Sequence, residues 1–334
     1  MQSPGKSSGS VSEIGRRLAH NSTVMGQQSF YDRPLVRRLQ DIFWHPKPPM
    51  KVTQRQFDGA DKELLVTAGK RWDEIDSSDY WHYLLDLCYV ELQPDLFDYL
   101  FPAFLIRWWE GLVSRQGGPE SECDFYRAID RGQVFAKMMS LSRREQVYAW
   151  MVDAYMDAVD QWGGNLSLDY DSKAGNKLQG PLTSFHAIGQ SIPILPEIWD
   201  RLQDVKCLGV AQWWLVLGIG IAWDENECPN IPAWTRDHGG GGVYILESDA
   251  SIFEHGYLAE NLECLNAELT IQLLIEKLFE ASPFLSETSF FDLLFVTRQR
   301  LEMDPEFYQA RIQRFLHYLG QPNLGGVIRA PLAG

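Results

Sequence analysis

The chain has 334 residues, 45% of them apolar and 13% aromatic, and carries a formal net charge of −15 with a sequence pI near 4.9. Its large side chains suffice for a sizeable core, and at roughly 150 residues per domain the length points to about two domains. Such an acidic field repels phosphate backbones, which argues against nucleic acid as a partner of the main body and favours cationic partners.

Residues 1–29 are rich in Ser, Gly and Gln and lack an apolar h-region, so a disordered arm is expected there and no secretory signal. Leu35, Val36, Leu39, Ile42 and Phe43 recur at helical spacing. His45-Pro46-Lys47-Pro48-Pro49 ends that helix, because proline excludes helix from itself and its predecessor. Asp61–Glu74 is a second candidate helix. Tyr80, Tyr83, Leu84, Leu87 and Cys88 form one stripe within 79–92, and Leu96 to Leu112 continue at spacings of three and four, with a kink or two abutting helices expected at Pro102. Residues 116–122 read as a loop. Ser142-Arg143-Arg144-Glu145 has the form of a capping box, followed by a stripe from Val147 to Val159 that ends at Trp162-Gly163-Gly164.

Residues 163–192 are polar and rich in Gly, Ser, Asp and Lys, which predicts a linker or long surface loop between a helical domain at 30–162 and a C-terminal domain at 193–322, with a tail at 323–334. Leu195–Leu202 is a short helix. The longest uncharged apolar run, Cys207 to Trp223, is short for a membrane span and contains Gln212 and three glycines, so it reads as a buried segment, with mixed helix and strand signals from Val210 onward. Val243–Leu246 is a candidate strand after the Gly239–Gly242 run. Residues 258–281 read as one long helix and 289–301 as another; Asp304-Pro305 opens a last helix as N-cap and N1, and Gly320 closes it.

Charge is unevenly placed. Residues 1–55 hold nine Lys/Arg against Glu13, Asp32 and Asp41, a net +6, whereas 243–306 hold thirteen Asp/Glu against Lys277, Arg298 and Arg300. An acidic face for a basic partner competes here with ordinary solvated helix faces. The five cysteines (Cys88, Cys123, Cys207, Cys228 and Cys264) are odd in number and widely spaced, which fits a reducing compartment and predicts a cytoplasmic protein.

No motif carries chemistry strongly. Gly239–Gly242 precede a candidate strand with no Gly-Lys-Ser/Thr after them, and Gly218-x-Gly220 has Trp223 where the third glycine of a dinucleotide fingerprint belongs. A zinc site could be drawn from Cys228, His238, His255 and Cys264, but the intervening gaps of nine, sixteen and eight residues lack the short paired spacing of such sites. Asp237 and His238, beside Arg236, are the most catalytic-looking pair, since a carboxylate can orient an imidazole as base. No nucleophile elbow accompanies them, and His186 after Ser184 has no more support. Trp108-Trp109 and Trp213-Trp214 could stack on ligands, though one ring of each pair should face the core and the other cover a neighbouring surface. The stretch 33–51, basic with Phe43 and Trp44 interleaved, has the look of a weak nucleic-acid or peptide contact or of a solvated helix face.

From about Leu35 to Trp162 the order of parts is distinctive: a helix ending in Pro, Phe57-Asp58, Trp72, Tyr80-Trp81, then Phe97-Asp98-Tyr99-Leu100-Phe101-Pro102-Ala103-Phe104-Leu105 and the helix after Ser142. This resembles a bacterial family of unknown function whose core reads F-x-Y-Y-L-P-A-(F/Y)-L, with Phe101 standing here between the Leu and the Pro. The resemblance covers under half of the chain and implies a helical fold, with no activity and no catalytic residues.

The expectation is therefore a mainly α protein, its N-terminal helical domain followed by an α or α+β domain with a small β element near 205–250. Its leading function is that of a non-enzymatic protein–protein interaction or accessory protein, immunity- or defence-associated in type, presenting an acidic surface to a basic protein partner, with no cofactor and no membrane. The alternative is a hydrolase, metal-assisted or not, centred on the Asp237-His238 loop.

Overall fold

The structure is a computed structural model that describes residues 29–114, 119–162, 180–223, 256–288 and 290–320. Among the described residues the 3.6-residue period prevails: there are fourteen α-helices and no strand. None of these helices is long and apolar enough to cross a membrane.

Helix α1 (Pro34–Ile42) starts on a proline whose fixed φ suits the first turn, and buries Val36, Leu39 and Ile42. It ends with the Trp44 N–H on Asp41 O (3.1 Å) and the His45 N–H on Gln40 O (2.6 Å), the paired bonds of a left-handed cap. Trp44 and His45 hold φ of +56° and +51°, a region that costs a non-glycine residue about 1 kcal/mol. The Arg143 guanidinium lies 4.9 Å from the Trp44 ring centroid and offsets part of that cost.

The chain then runs without regular structure to α2 (Asp61–Gly69). One side chain fastens it. Gln93 Oε1 accepts from the backbone N–H groups of Thr53 (2.7 Å) and Gln54 (3.2 Å), Gln93 Nε2 donates to Lys51 O (2.7 Å), and the Gln93 N–H donates to Gln54 Oε1 (2.8 Å). A 3₁₀ turn, Trp72–Glu74, leads to α3 (Ser77–Tyr89), which is capped by Asp76 and Asp79. Donors from Ser78 and Asp79 pull the Asp76 carboxyl down to about 2. Helix α4 (Pro94–Ser114) runs in one piece through Pro102. Next come α5 (Pro119–Gly132), α6 (Val134–Met138) and α7 (Leu141–Trp162). The capping hydroxyl of α7 belongs to Ser140, which accepts from the Arg143 N–H at 3.3 Å; Ser142 already lies inside the helix and accepts from Gln146.

Residues 180–191, expected within a linker or loop, form α8 (Gly180–Ser191), while 163–179 lie outside the described residues. Helix α9 (Leu195–Leu202) follows as expected. The β element expected near 205–250 is replaced over its first part by α10 (Leu208–Ala222), in which every residue from Gly209 to Ala222 is buried; Val243–Leu246 lie outside the described residues. Branched residues such as Val216 and Ile219 favour strands only where a sheet receives them, and here helices surround the segment. The long helix expected at 258–281 is two, α11 (Ala259–Glu268) and α12 (Ile271–Leu285), because Leu269 and Thr270 are extended and the Thr270 hydroxyl caps α12 by accepting from the Leu273 N–H. Helix α13 (Phe291–Met303) and α14 (Pro305–Leu319) complete the fold, with Asp304 capping α14 through the Phe307 N–H.

One contiguous apolar core runs from Val36 to Leu319, across the expected domain boundary. Helix α10 is its axis and packs against α7, α8, α12, α13 and α14. Close approach to α7 depends on Gly209: a Cβ there would sit 1.8 Å from Val159 O. Asn261, fully buried, staples three elements together. Its Nδ2 donates to Gly189 O and Ile192 O (both 2.9 Å), and its Oδ1 accepts from the Leu195 N–H (3.3 Å).

Two glycine substitutions separate packing from propensity. Gly209→Ala collides with rigid backbone and is expected to cost roughly 1–3 kcal/mol. Gly111→Ala in α4 meets nothing within 4 Å and is expected to stabilise by about 0.5–1 kcal/mol. Urea midpoints moving in opposite directions bear this out; a neutral Gly209→Ala contradicts the close packing of α10 on α7.

Candidate functional site

Asp237, His238, Cys228 and His255, which make up the hydrolytic pair and three of the four zinc candidates, lie outside the described residues. Cys264 is described, on α11. Burial, then the nearby Glu268, Glu197 and Asp200, push its thiol up to about 11. Among the described residues no three His, Cys, Asp or Glu side chains are grouped so as to hold a metal ion.

Ser184 and His186 sit two positions apart on α8, and such neighbours point to different sides of a helix. His186 is buried, with Nδ1 3.0 Å from the Tyr257 hydroxyl and no hydrogen-bond partner at Nε2. Burial alone pulls its pKa down to about 4, so the ring is neutral at neutral pH. Among the described residues its ring nitrogens have one hydrogen-bond partner, the tyrosine hydroxyl, and no carboxylate orients it as a base.

Two buried carboxylates that sequence reasoning passed over occupy α3. Asp79 receives Lys70 Nζ (2.6 Å), the Thr67 hydroxyl (2.8 Å) and the Asp76 N–H (2.9 Å). Asp86, fully buried, receives Gln54 Nε2 (2.7 Å) and the Phe57 N–H (3.0 Å), and so anchors the segment that Gln93 fastens. Burial pushes its carboxyl up to about 6 against these donors, with Asp58 and Asp61 adding to the rise. A shallow depression of about 250 Å³ lies between α2 and α3, lined in part by Asp79 and His82. Asp79 is committed to Lys70, and His82 Nδ1 lies 2.9 Å from Asp58 Oδ2, so no free nucleophile–base pair converges there. The available signal for both carboxylates was a charged residue inside an apolar stripe.

The paired tryptophans are structural. All four rings are buried. Each indole N–H has a partner: Tyr126 OH for Trp108, Asp157 for Trp109, Tyr155 OH for Trp213 and Leu202 O for Trp214. No open ring face is left to stack on a ligand. The arginines of the basic stretch are also spent internally, whereas Lys47 and Lys51 form no ion pair among the described residues. Arg33 meets Glu110 of α4 at 2.6 Å, Arg38 meets Asp153 of α7, and Arg55 meets Asp61 of α2 at 2.6 Å.

Among the described residues one face of the α12–α13 hairpin exposes a group of aromatic rings. Leu274, Leu278, Ala281 and Leu285 of α12, and Leu294, Thr297 and Leu301 of α13, point inward. Phe279 (66% exposed), Phe284, Phe291 and Phe295 (52% exposed) point to solvent. Arg298 of α13 lies over the Phe279 ring at 5.6 Å and pairs with Glu302 at 3.2 Å, tying the two helices' exposed rows together. Glu276, Glu287 and Asp292 are exposed around these rings and form no ion pair among the described residues. Sequence reading marked the acid of 243–306 but not these rings, because it followed the buried stripe; the signal was aromatic residues placed off that stripe.

No protein-family model, no curated protein and no solved structure matches the chain.

The raised Asp86 carboxyl has a pH signature. Between about pH 4 and pH 6 the unfolded chain's Asp86 ionises while the folded one resists, so stability falls as pH rises through that window and levels off above it. Asp86→Asn removes the titration and leaves a fixed offset from its altered hydrogen bonds. Urea unfolding of both proteins from pH 4 to pH 7 is expected to show the wild type losing about 1–2 kcal/mol relative to the variant, after allowance for solvent screening. Parallel pH profiles would mean that Asp86 titrates as an ordinary surface carboxyl.

Proposed function

We propose that this protein is a non-enzymatic interaction protein that receives a basic, amphipathic segment of a protein partner on the exposed α12–α13 face, as an immunity- or defence-associated accessory protein would. The observation that carries this reading is the coincidence of four solvent-facing phenylalanines with Glu276, Glu287 and Asp292, which have no cation of their own among the described residues. Elsewhere among the described residues, the N–H groups of Trp108, Trp109, Trp213 and Trp214 and the buried carboxylates Asp79 and Asp86 are satisfied within the fold.

Magnitudes assign the roles. Covering an exposed Phe is worth about 1.5–3 kcal/mol, whereas a surface ion pair is worth about 0–1 kcal/mol. The rings therefore supply most of the affinity. The acids select the sign of the partner and speed its approach.

The test is capture of partners by immobilised protein at low and high salt, with two variants in parallel: Phe279→Ser with Phe295→Ser, and Glu276→Lys with Glu287→Lys and Asp292→Lys. All five positions are exposed, so both variants are expected to fold. A partner recovered at low salt, lost at high salt and lost by each variant supports the reading. Recovery indifferent to salt and to both variants contradicts it.

A further inference from the structure

We propose that residues 46–51 are a docking strap for a polyproline-binding module, that is, a groove lined by aromatic rings with an acidic rim on a separate protein. The inference is independent of the α12–α13 face and of any partner bound there.

The segment reads Pro46-Lys47-Pro48-Pro49-Met50-Lys51. A proline-rich chain winds with three residues per turn and no internal hydrogen bonds. On that period Pro46 and Pro49 form one ridge, Pro48 and Lys51 a second, and Lys47 and Met50 a third. Grooves that recognise Pro-x-x-Pro grip two adjacent ridges. Here the Pro48–Lys51 ridge is exposed and the Pro46–Pro49 ridge is half exposed, so the pair that has to enter a groove is accessible. Lys51 closes that pair of ridges with a cation, and neither Lys47 nor Lys51 forms an ion pair among the described residues. An acidic rim would meet both charges.

The strap is held at each end and free between. Upstream, the left-handed pair Trp44–His45 sets the exit from α1. Downstream, Gln93 takes Lys51 O, Thr53 N–H and Gln54 N–H. Residues 46–50 make no hydrogen bond to the rest of the described chain. A segment clamped at both ends gives up less conformational entropy on binding than a loose tail of the same sequence. Other uses of an exposed strap fit less well. Strand addition needs backbone donors, which Pro46, Pro48 and Pro49 lack, and two lysines on a chain of net charge −15 make a poor phosphate track.

The probe is a panel of isolated ¹⁵N-labelled SH3 and WW domains, titrated with the intact protein. At least one member is expected to show chemical-shift changes confined to its aromatic groove. Binding should weaken at least tenfold for Pro46→Ala with Pro49→Ala, and also for Lys51→Glu, an exposed position where the melting temperature should not move. The proposal is overturned if no member responds in its groove, or if binding is indifferent to both variants. It is also overturned, in favour of a second copy of this chain as occupant, if Lys51→Glu abolishes concentration-dependent self-association in sedimentation while no groove responds.

Discussion

A helix with no polar side has to be surrounded, and α10 is such a helix. From Gly209 to Ala222 each residue is withdrawn from solvent, so other helices must come to it and their apolar faces are defined by that duty. The approach of α7 is close enough that only glycine fits at 209. Trp213 and Trp214, back to back on α10, pack edge-on against one another and against Trp199 of α9, with centroids 5.3–6.1 Å apart. Each hands its indole N–H to a nearby oxygen. Large rings can be buried at this density only when that polar handle is satisfied, and the same rule explains Trp108, Trp109 and Trp150 around α4 and α7.

Electrostatics follow a comparable division. Two arginines of the basic N-terminal stretch reach into the acidic body and pair with residues distant in sequence, Arg33 with Glu110 of α4 and Arg38 with Asp153 of α7. Arg201 joins the same carboxylate at 2.5 Å, so one acid of α7 binds α1 and α9 together. Cations consumed in this way are not available to every acid, and Glu276, Glu287 and Asp292 on the α12–α13 face form no ion pair among the described residues. Surface pairs of this kind add little stability singly; their effect is to fix which surfaces stay charged.

Polar groups in the interior fasten the irregular segments. Gln93 and Asp86 hold the stretch between α1 and α2, and Asn261 holds the junction of α8, α9 and α11. A helix satisfies its own backbone, whereas a chain without regular structure has to borrow donors and acceptors from side chains. Buried amides and carboxylates such as Gln54, Asp86 and Asn261 therefore serve the connections.

Local chemistry was legible in the sequence. The periodicity of α1, α7 and α9, the proline stop after α1, the Asp304-Pro305 start of α14 and the buried character of 207–223 all follow from properties that act within a turn or two of chain. The boundaries that failed were those settled by a distant partner or by a competing local cap: Thr270 splitting 258–281, Ser140 taking the place of Ser142, α8 forming from a polar stretch because its inner side meets Tyr257 and Asn261. Sequence alone determined that the protein is helical, acidic and able to bury many aromatic rings. Only tertiary structure decided which rings those are. Phe290 and Phe291 are adjacent and chemically identical, yet the first is buried and the second exposed, because exposure is a property of neighbours brought from far along the chain.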